Sequence, residues 1–410
     1  MKKLIRWGII GITTWALIHV NLQLYSSVPE TTHYQEQQAQ FVYLKAALRE
    51  GAAEEMQARF PEGYFFTYVL YGLSWVNVGL VENLDPTVRQ TALFEARQAY
   101  GRLSEPAGKQ PFAQDQVPPY GIFYQGWRNY LLSGILLLQQ PGLLQARELA
   151  EFKANCEAIA NALAASPSPF LPSYPRETWP VDTFPALVSL RAHRSLIDES
   201  YEPTIAAWLA RLKAAQPGSA TQIDHRIAPF RQGPRGTSQA LIQRFLPELD
   251  PVWAAQSYGR FRQEFVTQRL GIPGILEYPI ADPGKSSTKP ATANPAGDID
   301  SGPLITGVSL SATAIALGTA KLNGDDRLHR ALWQASELVG LPTGGKLAIA
   351  RKNATGLACC RSPMPFCSGP KPPRLGFQIR RNRWRWTIPA GGAGPAMGSP
   401  WRCGWGFSGG

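Results

Sequence analysis

The sequence predicts an all-α protein whose helices pair into hairpins and close into a double-layered toroid. Three observations lead there. Apolar stretches of helical length alternate with two-faced stretches, the turn and cap residues between them are of the helix-bounding kind, and no run of alternating strands stands out. A helix apolar on all sides must be buried on all sides, which suits the inner layer of a closed ring better than an open stack of helix pairs.

The pattern holds in order along the chain. Residues 33–59 read as a two-faced helix stopped by Phe60-Pro61-Glu62-Gly63, and residues 64–81 as a buried one. Asp85-Pro86, a cap followed by a first-turn proline, opens a two-faced helix over 87–103. The alternation repeats with 120–139 buried and 143–165 two-faced, then 182–197 and 203–215. A short helix over 237–245 precedes a charged one that Asp250-Pro251 caps and that is expected to run to Arg269. Residues 303–322, small and apolar, pair with the two-faced 325–339; Ser301 or Asp300 is the expected cap and Pro303 the expected first turn. These make five inner and six outer helices, so an (α/α)6 toroid lacks one inner helix, due just after Val339-Gly340-Leu341-Pro342.

Composition changes at that point. The chain has 410 residues, 44% of them hydrophobic, and a formal net charge of +11. Residues 345–410 hold eleven of the 41 basic residues and none of the 30 acidic ones, so the body, 33–344, is close to neutral and the basic total implies no nucleic-acid partner. The same tail holds Cys359, Cys360, Cys367 and Cys403, whose spacings match no zinc pattern. Its Gly, Pro, Arg, Trp and Cys content is that of a GC-rich gene translated out of frame, and the sixth inner helix is lost where it starts. A disordered tail, or a basic aromatic segment over 380–386 for RNA or a membrane surface, are the alternatives. Gly340 to Lys346 brushes a phosphate-loop pattern, yet Leu347 replaces the required hydroxyl and a helix precedes it.

At the other end, Lys2, Lys3 and Arg6 precede an apolar stretch, 7–25, about one bilayer long. No basic residue follows until Lys45, and no small-x-small cleavage site is evident. Residues 1–28 are therefore expected to be an uncleaved, single-pass signal anchor in the inner membrane, with the N-terminus in the cytoplasm, the domain outside and the bilayer as partner.

The connections are asymmetric. Those from inner to outer helices are short, and those from outer to inner, 104–119, 166–181, 216–236 and 271–302, are long, so four long loops are expected on one end of the toroid. They carry Tyr120 and Tyr124, Trp179 and Asp182, His225 and Arg235, and Tyr278 with Asp298 and Asp300. Carboxylates, tyrosines, a histidine and an arginine around an aromatic mouth suit proton transfer on a small-molecule substrate. Asp298, Asp300, Asp182 and Tyr124 are the candidate catalytic groups; Tyr120, Trp179, Arg235, His225 and Tyr278 are the candidate substrate contacts. Against this stand blander roles: helix caps for Asp182 and Asp300, core packing for the tyrosines, exposure for His225, and for Arg235 a salt bridge to Asp298 or Asp300. One histidine in these loops makes no metal set, and no cofactor is expected.

The segments PYGIFYQGWRNYLL, YPRETWPVDTFPAL, GPRGTSQALIQRFLPELDP and GDIDSGPLITGVSLSATAIAL resemble those of membrane-anchored bacterial proteins related to the linalool dehydratase/isomerase-like (α/α)6 domain. The resemblance spans roughly residues 64–342. It implies a toroid and a lyase or isomerase of dehydratase type, acting on a small terpenoid-like alcohol with acid–base residues that include cysteines. Cys156, the one cysteine of the body, falls on an outer helix, so that cysteine chemistry is not carried over. Six-hairpin toroids also serve carbohydrate hydrolases and epimerases through paired carboxylates. A non-catalytic envelope protein is the third expectation.

Overall fold

A computed structural model of the chain describes residues 2–24, 30–81, 84–140, 142–215, 222–280, 297–339, 377–380 and 383–386. Most of these residues are helical. Helix α1 (Lys2–Leu24) is followed by α2 (Glu30–Arg49), α3 (Ala52–Arg59), α4 (Gly63–Gly79), α5 (Pro86–Leu103) and the single turn α6 (Pro106–Lys109). Then come α7 (Gly121–Leu138), α8 (Ala146–Ala165), α9 (Thr183–Leu196), α10 (Glu202–Ala214), α11 (Gly236–Leu249) and α12 (Pro251–Phe265), and finally α13 (Leu310–Leu322) and α14 (Asp326–Val339).

The alternation of buried and two-faced helices becomes two layers. Helices α4, α7, α9, α11 and α13 lie side by side in chain order as the inner row. Outside it, α5 packs on α4 and α7, α8 on α7 and α9, α10 on α8 and α9, α12 on α11, and α14 on α13. The inner row buries nearly everything it carries, including Phe65, Trp127, Tyr130, Phe184 and Phe245, so the hydrophobic term that holds the domain together is concentrated there. One end of the row rests on α3 and the other on α14 and a small sheet. The place expected for a sixth inner helix lies in residues 340–376, outside the described residues. In the tail, Phe377–Arg380 and Arg383–Trp386 pair as an antiparallel two-stranded ribbon.

That sheet corrects the strand-free expectation. Strands β1 (Val266–Arg269), β2 (Ile272–Leu276), β3 (Gly297–Asp298), β4 (Gly302–Ile305) and β5 (Val308–Ser309) form an antiparallel sheet in the order β1-β2-β5-β4-β3. Two of its turns are two-residue hairpins whose central residues are both left-handed, Leu270 (φ 54°) with Gly271 (φ 83°), and Thr306 (φ 52°) with Gly307 (φ 83°). Such turns match the twist of paired strands. Leu-Gly and Thr-Gly are weaker signals for them than Asn-Gly, and the flanking strands are short, so the pattern is easily missed in sequence.

The helix bounds move accordingly. The charged helix stops at Phe265 rather than Arg269, and the helix expected from Pro303 starts at Leu310. Its cap is neither Ser301 nor Asp300 but Ser309, whose Oγ accepts from the Ala312 N–H at 3.0 Å. Asp85 and Asp250 do cap, accepting from Thr87 N at 2.7 Å and Trp253 N at 3.0 Å. The helix expected over 33–59 breaks at Gly51 (φ 95°), and α11 runs four residues beyond Phe245, with Pro247 in its last turns.

Helix α1 occupies the expected anchor, with Trp7, Ile12, Trp15 and Leu22 exposed. Asn21 Nδ2 donates to the Leu270 carbonyl at 3.1 Å, tying α1 to the β1–β2 turn. No described helix is long and apolar enough to cross a membrane; His19, Asn21 and Gln23 dilute the apolar run.

The long loops all feed the N-termini of inner helices and are stitched to one another in series. Ile122 N donates to Pro172 O at 2.9 Å, Ile227 N to Thr178 O at 2.9 Å, and Gly236 N to Glu277 O at 2.7 Å. Two inner helices begin with a glycine pressed on the next loop. A Cβ on Gly121 would sit 2.3 Å from the Ser173 carbonyl oxygen, and one on Gly236 2.0 Å from that of Leu276. Replacement of Gly236 by alanine is expected to lower stability by about 1–3 kcal/mol, the usual cost of overpacking. Gly233→Ala, with open space around it, is expected to change the urea midpoint little; equal midpoints for the two variants would refute the close approach.

Candidate functional site

Arg235 is the hub where the third and fourth loops meet. It ends the loop in an extended conformation just before α11 and is buried. Its Nε donates to Glu277 Oε1 at 2.5 Å, while Nη1 and Nη2 grip Asp298 as a fork at 2.7 and 2.8 Å. Nη1 also lies 3.1 Å from His225 Nε2. Glu277, fully buried, accepts a second bond from the Thr237 hydroxyl at 2.6 Å. A buried guanidinium needs such partners to offset its desolvation, and its planar fork matches a carboxylate.

Asp298 is held further by its own turn, where the Ser301 N–H donates to Oδ1 at 3.0 Å. The Arg235 guanidinium and that N–H outweigh partial burial and hold its carboxyl down at about 2. Asp298 is therefore an ionised partner locked in place, and Arg235 is spent on it rather than presented to an anionic substrate. Tyr278 lies over the same guanidinium, its ring centroid 5.9 Å from Cζ.

Asp300, two residues on, is about as exposed as Asp298. Expected to be a cap, it instead brings Oδ2 to 3.5 Å from His225 Nε2. His225, expected to be exposed, is buried: Nδ1 contacts the Ser238 hydroxyl on the first turn of α11, and the ring meets Trp179 edge-on at 4.7 Å. Trp179 is engaged on several sides, by His225, by the Arg226 guanidinium 5.2 Å from its ring centroid, and through Nε1–H donated to Glu177 at 3.1 Å.

Asp182 differs from every other carboxylate here. It closes the one-turn 3-10 helix Pro180–Asp182, is buried, and makes no capping bond to α9. Burial pushes its carboxyl up to about 8; a hydrogen bond with Ser173 offsets part of this, and the charges of Glu62 and Asp300 add to it. Glu62, on the turn that starts α4, is raised as well, first by burial and then by Asp300, although backbone and Tyr174 hydrogen bonds lower it. Burial and the same carboxylates push the Tyr174 hydroxyl well above its ordinary range. The charge of Asp300 thus bears on both Glu62 and Asp182, and that of Glu62 on Asp182, across three segments of chain.

Glu62 was not a sequence candidate, because it reads simply as part of a Pro-Glu-Gly helix stop. Its signal lies in the position: a carboxylate at the start of an inner helix, on the end where the long loops gather. Tyr124, in contrast, leaves the site. Its ring is in the core against Phe65 and Phe112, and its hydroxyl donates to the Leu103 carbonyl at 3.1 Å. Tyr120 packs on Tyr124, with the Lys109 ammonium 5.4 Å from its ring centroid. Cys156 is buried, bonded by Asn129 Nδ2 at 3.3 Å, and burial pushes its thiol up to about 12, so it is no nucleophile. Among the described residues no group of three His, Cys, Asp or Glu side chains is placed to hold a metal ion.

No protein-family model matches the chain, and no curated protein matches it. What the site can do therefore rests on its geometry: it offers a carboxylic acid that keeps its proton at neutral pH within electrostatic reach of other carboxylates, one of them partly open to solvent.

The two aspartates give opposite pH signatures. Asp298, held at about 2 when folded against 3.8 ordinarily, contributes stability above about pH 4 that is lost as pH falls through about 2. Asp182, raised from 3.8 to about 8, binds its proton more tightly in the folded state, so folding loses stability as pH rises from about 4 through about 8. Asp182→Asn is thus expected to raise Tm at pH 8 and to lose that gain towards pH 4; a gain independent of pH would show that Asp182 is not the buried acid.

Proposed function

We propose that this chain is an acid–base enzyme in which the neutral carboxyl of Asp182 protonates an oxygen leaving group of a small hydroxylated organic molecule. The observation that carries this reading is Asp182 itself, a buried carboxyl raised to about 8 and given no structural cap to make. A group with that affinity keeps its proton at neutral pH and gives it up readily to a developing alkoxide or departing hydroxyl. In a dehydration, Asp182 delivers its proton to the hydroxyl oxygen, the C–O bond breaks and water leaves. A nearby carboxylate, Asp300, accepts the proton from the adjacent carbon as the double bond forms. Re-addition of water at another carbon gives isomerisation.

This is the chemistry implied by the resemblance to linalool dehydratase/isomerase-like proteins, here without cysteine. The aromatic surroundings of Tyr174, stacked at 5.7 Å on Phe112 and 5.8 Å from Phe123, suit a terpenoid-like alcohol. Closure of the double layer into an (α/α)6 toroid belongs to the same proposal. So does attachment to the inner membrane through α1, whose exposed Trp7, Ile12, Trp15 and Leu22 favour a lipid surface, with the domain outside the cytoplasm.

A second reading, a carbohydrate hydrolase or epimerase, is favoured by the influence of Asp300 on Glu62 and Asp182, since a paired acid and base is what glycoside cleavage needs. Assay against terpene alcohols and against glycosides separates the two. With the active substrate class, Asp182→Asn is expected to cut turnover by about 100-fold or more, and the wild-type rate is expected to fall as pH rises through about 8. Full activity in Asp182→Asn would refute the assignment of the acid, and inactivity of the wild type on both classes would favour an envelope-structural role.

A further inference from the structure

The two hydrogen bonds of His225 suit a neutral ring, yet a carboxylate lies just beyond the same nitrogen. Its Nδ1 contacts the Ser238 hydroxyl, and its Nε2 faces two groups of opposite demand, Arg235 Nη1 at 3.1 Å and Asp300 Oδ2 at 3.5 Å. A guanidinium nitrogen only donates, so contact with Arg235 requires a lone pair on Nε2. A carboxylate only accepts, so a hydrogen bond across the 3.5 Å to Asp300 would require a proton between the two. Nε2 can serve one or the other, and not both.

We propose that His225 is a proton relay for Asp300: it exchanges a proton with that carboxyl through Nε2, and Arg235 takes the nitrogen back when the proton leaves. The inference rests on the acid–base reading and gives the base side of the site its exit. The Ser238 hydroxyl on α11 accepts from Nδ1–H in both states, so the ring need not turn and Nε2 alone exchanges. When Asp300 has taken a proton from the substrate, that proton passes to Nε2 and the ring becomes an imidazolium. Asp300 is again a carboxylate, and Nη1 keeps its bond to Asp298 Oδ2. When the imidazolium gives the proton back to water through Asp300, whose carboxyl is partly open to solvent, Nε2 again accepts from Arg235.

The charges around the ring permit both states. Arg235 opposes the imidazolium, while Asp300 beside it, and Asp298 and Glu277 on the far side of the guanidinium, favour it. Across the ring face, Trp179 separates His225 from Arg226 and Glu177. Asp224 is paired with Arg231, and Glu62 and Asp182, both raised by the charge of Asp300, complete the set. A residue of this kind positions and recharges a catalytic group and need not touch substrate.

The test is spectroscopic and needs no substrate. In the full chain labelled with 15N-histidine and 13C-aspartate, His225 is expected at high pH to carry its proton on Nδ1 and a lone pair on Nε2. On acidification, the Asp300 Cγ signal is expected to report the step at which Nε2 is protonated, since each site of a coupled pair senses the other's proton. Asp300→Asn, at a partly exposed position, is expected to keep the tautomer and move the Nε2 inflection to lower pH. Ser238→Ala is expected to let both tautomers appear. A proton on Nε2 at high pH, an Asp300 Cγ signal blind to the Nε2 step, or an Nε2 inflection unmoved by Asp300→Asn would each overturn the relay. These outcomes are independent of Asp182→Asn turnover, so failure here and failure of the proposed activity are told apart.

Discussion

The buried guanidinium of Arg235 is the interaction on which the loop end of this domain depends. His225 of its own loop and Glu277 and Asp298 of the next loop meet on its nitrogens. Taken out of water, the charge is costly without those partners, so the loops are held in one arrangement by the demand for satisfaction rather than by local conformational preference. Backbone bonds from Gly236 to Glu277 and from Ile227 to Thr178 continue the same stitching. The glycine at 236 lets the strand and the helix approach closely enough for the guanidinium to reach both carboxylates.

A fixed positive charge also separates the acids in proton affinity. Asp298, gripped by the fork, is held ionised, whereas Asp182, set away from any cation and surrounded by Glu62 and Asp300, retains its proton. The two carboxyls have nearly the same intrinsic affinity. Their environments drive them apart by burial, by neighbouring charge and by hydrogen bonding, which is how one protein provides an acid and an ionised partner at the same pH.

Much of the scaffold was legible in the sequence because its physics is local. Burial on all sides shows as an unbroken apolar stretch, as in α4 and α7, and Asp-Pro shows as a capped helix start at Asp85 and Asp250. The convergence of the long loops was legible from their lengths alone. The short sheet was not, since Thr306-Gly307 and Leu270-Gly271 are unremarkable dipeptides until strands are paired on either side of them. That omission displaced the start of α13 by seven residues, from Pro303 to Leu310, and turned the acidic loop before it from a helix cap into a β-hairpin.

The sequence by itself determined the layering, the end on which the polar residues gather, and a salt bridge from Arg235 as one of its open readings. Only the tertiary structure decided which acid does what. Asp298 and Asp300 are two residues apart with the same side chain, yet one faces a guanidinium and the other an imidazole. Glu62 and Asp182 owe their raised proton affinity first to burial, with Asp300 adding to both and Glu62 adding to Asp182 across more than a hundred residues of chain. Proton affinity is set by desolvation and by charges within a few ångströms, and those distances exist only once the loops are packed.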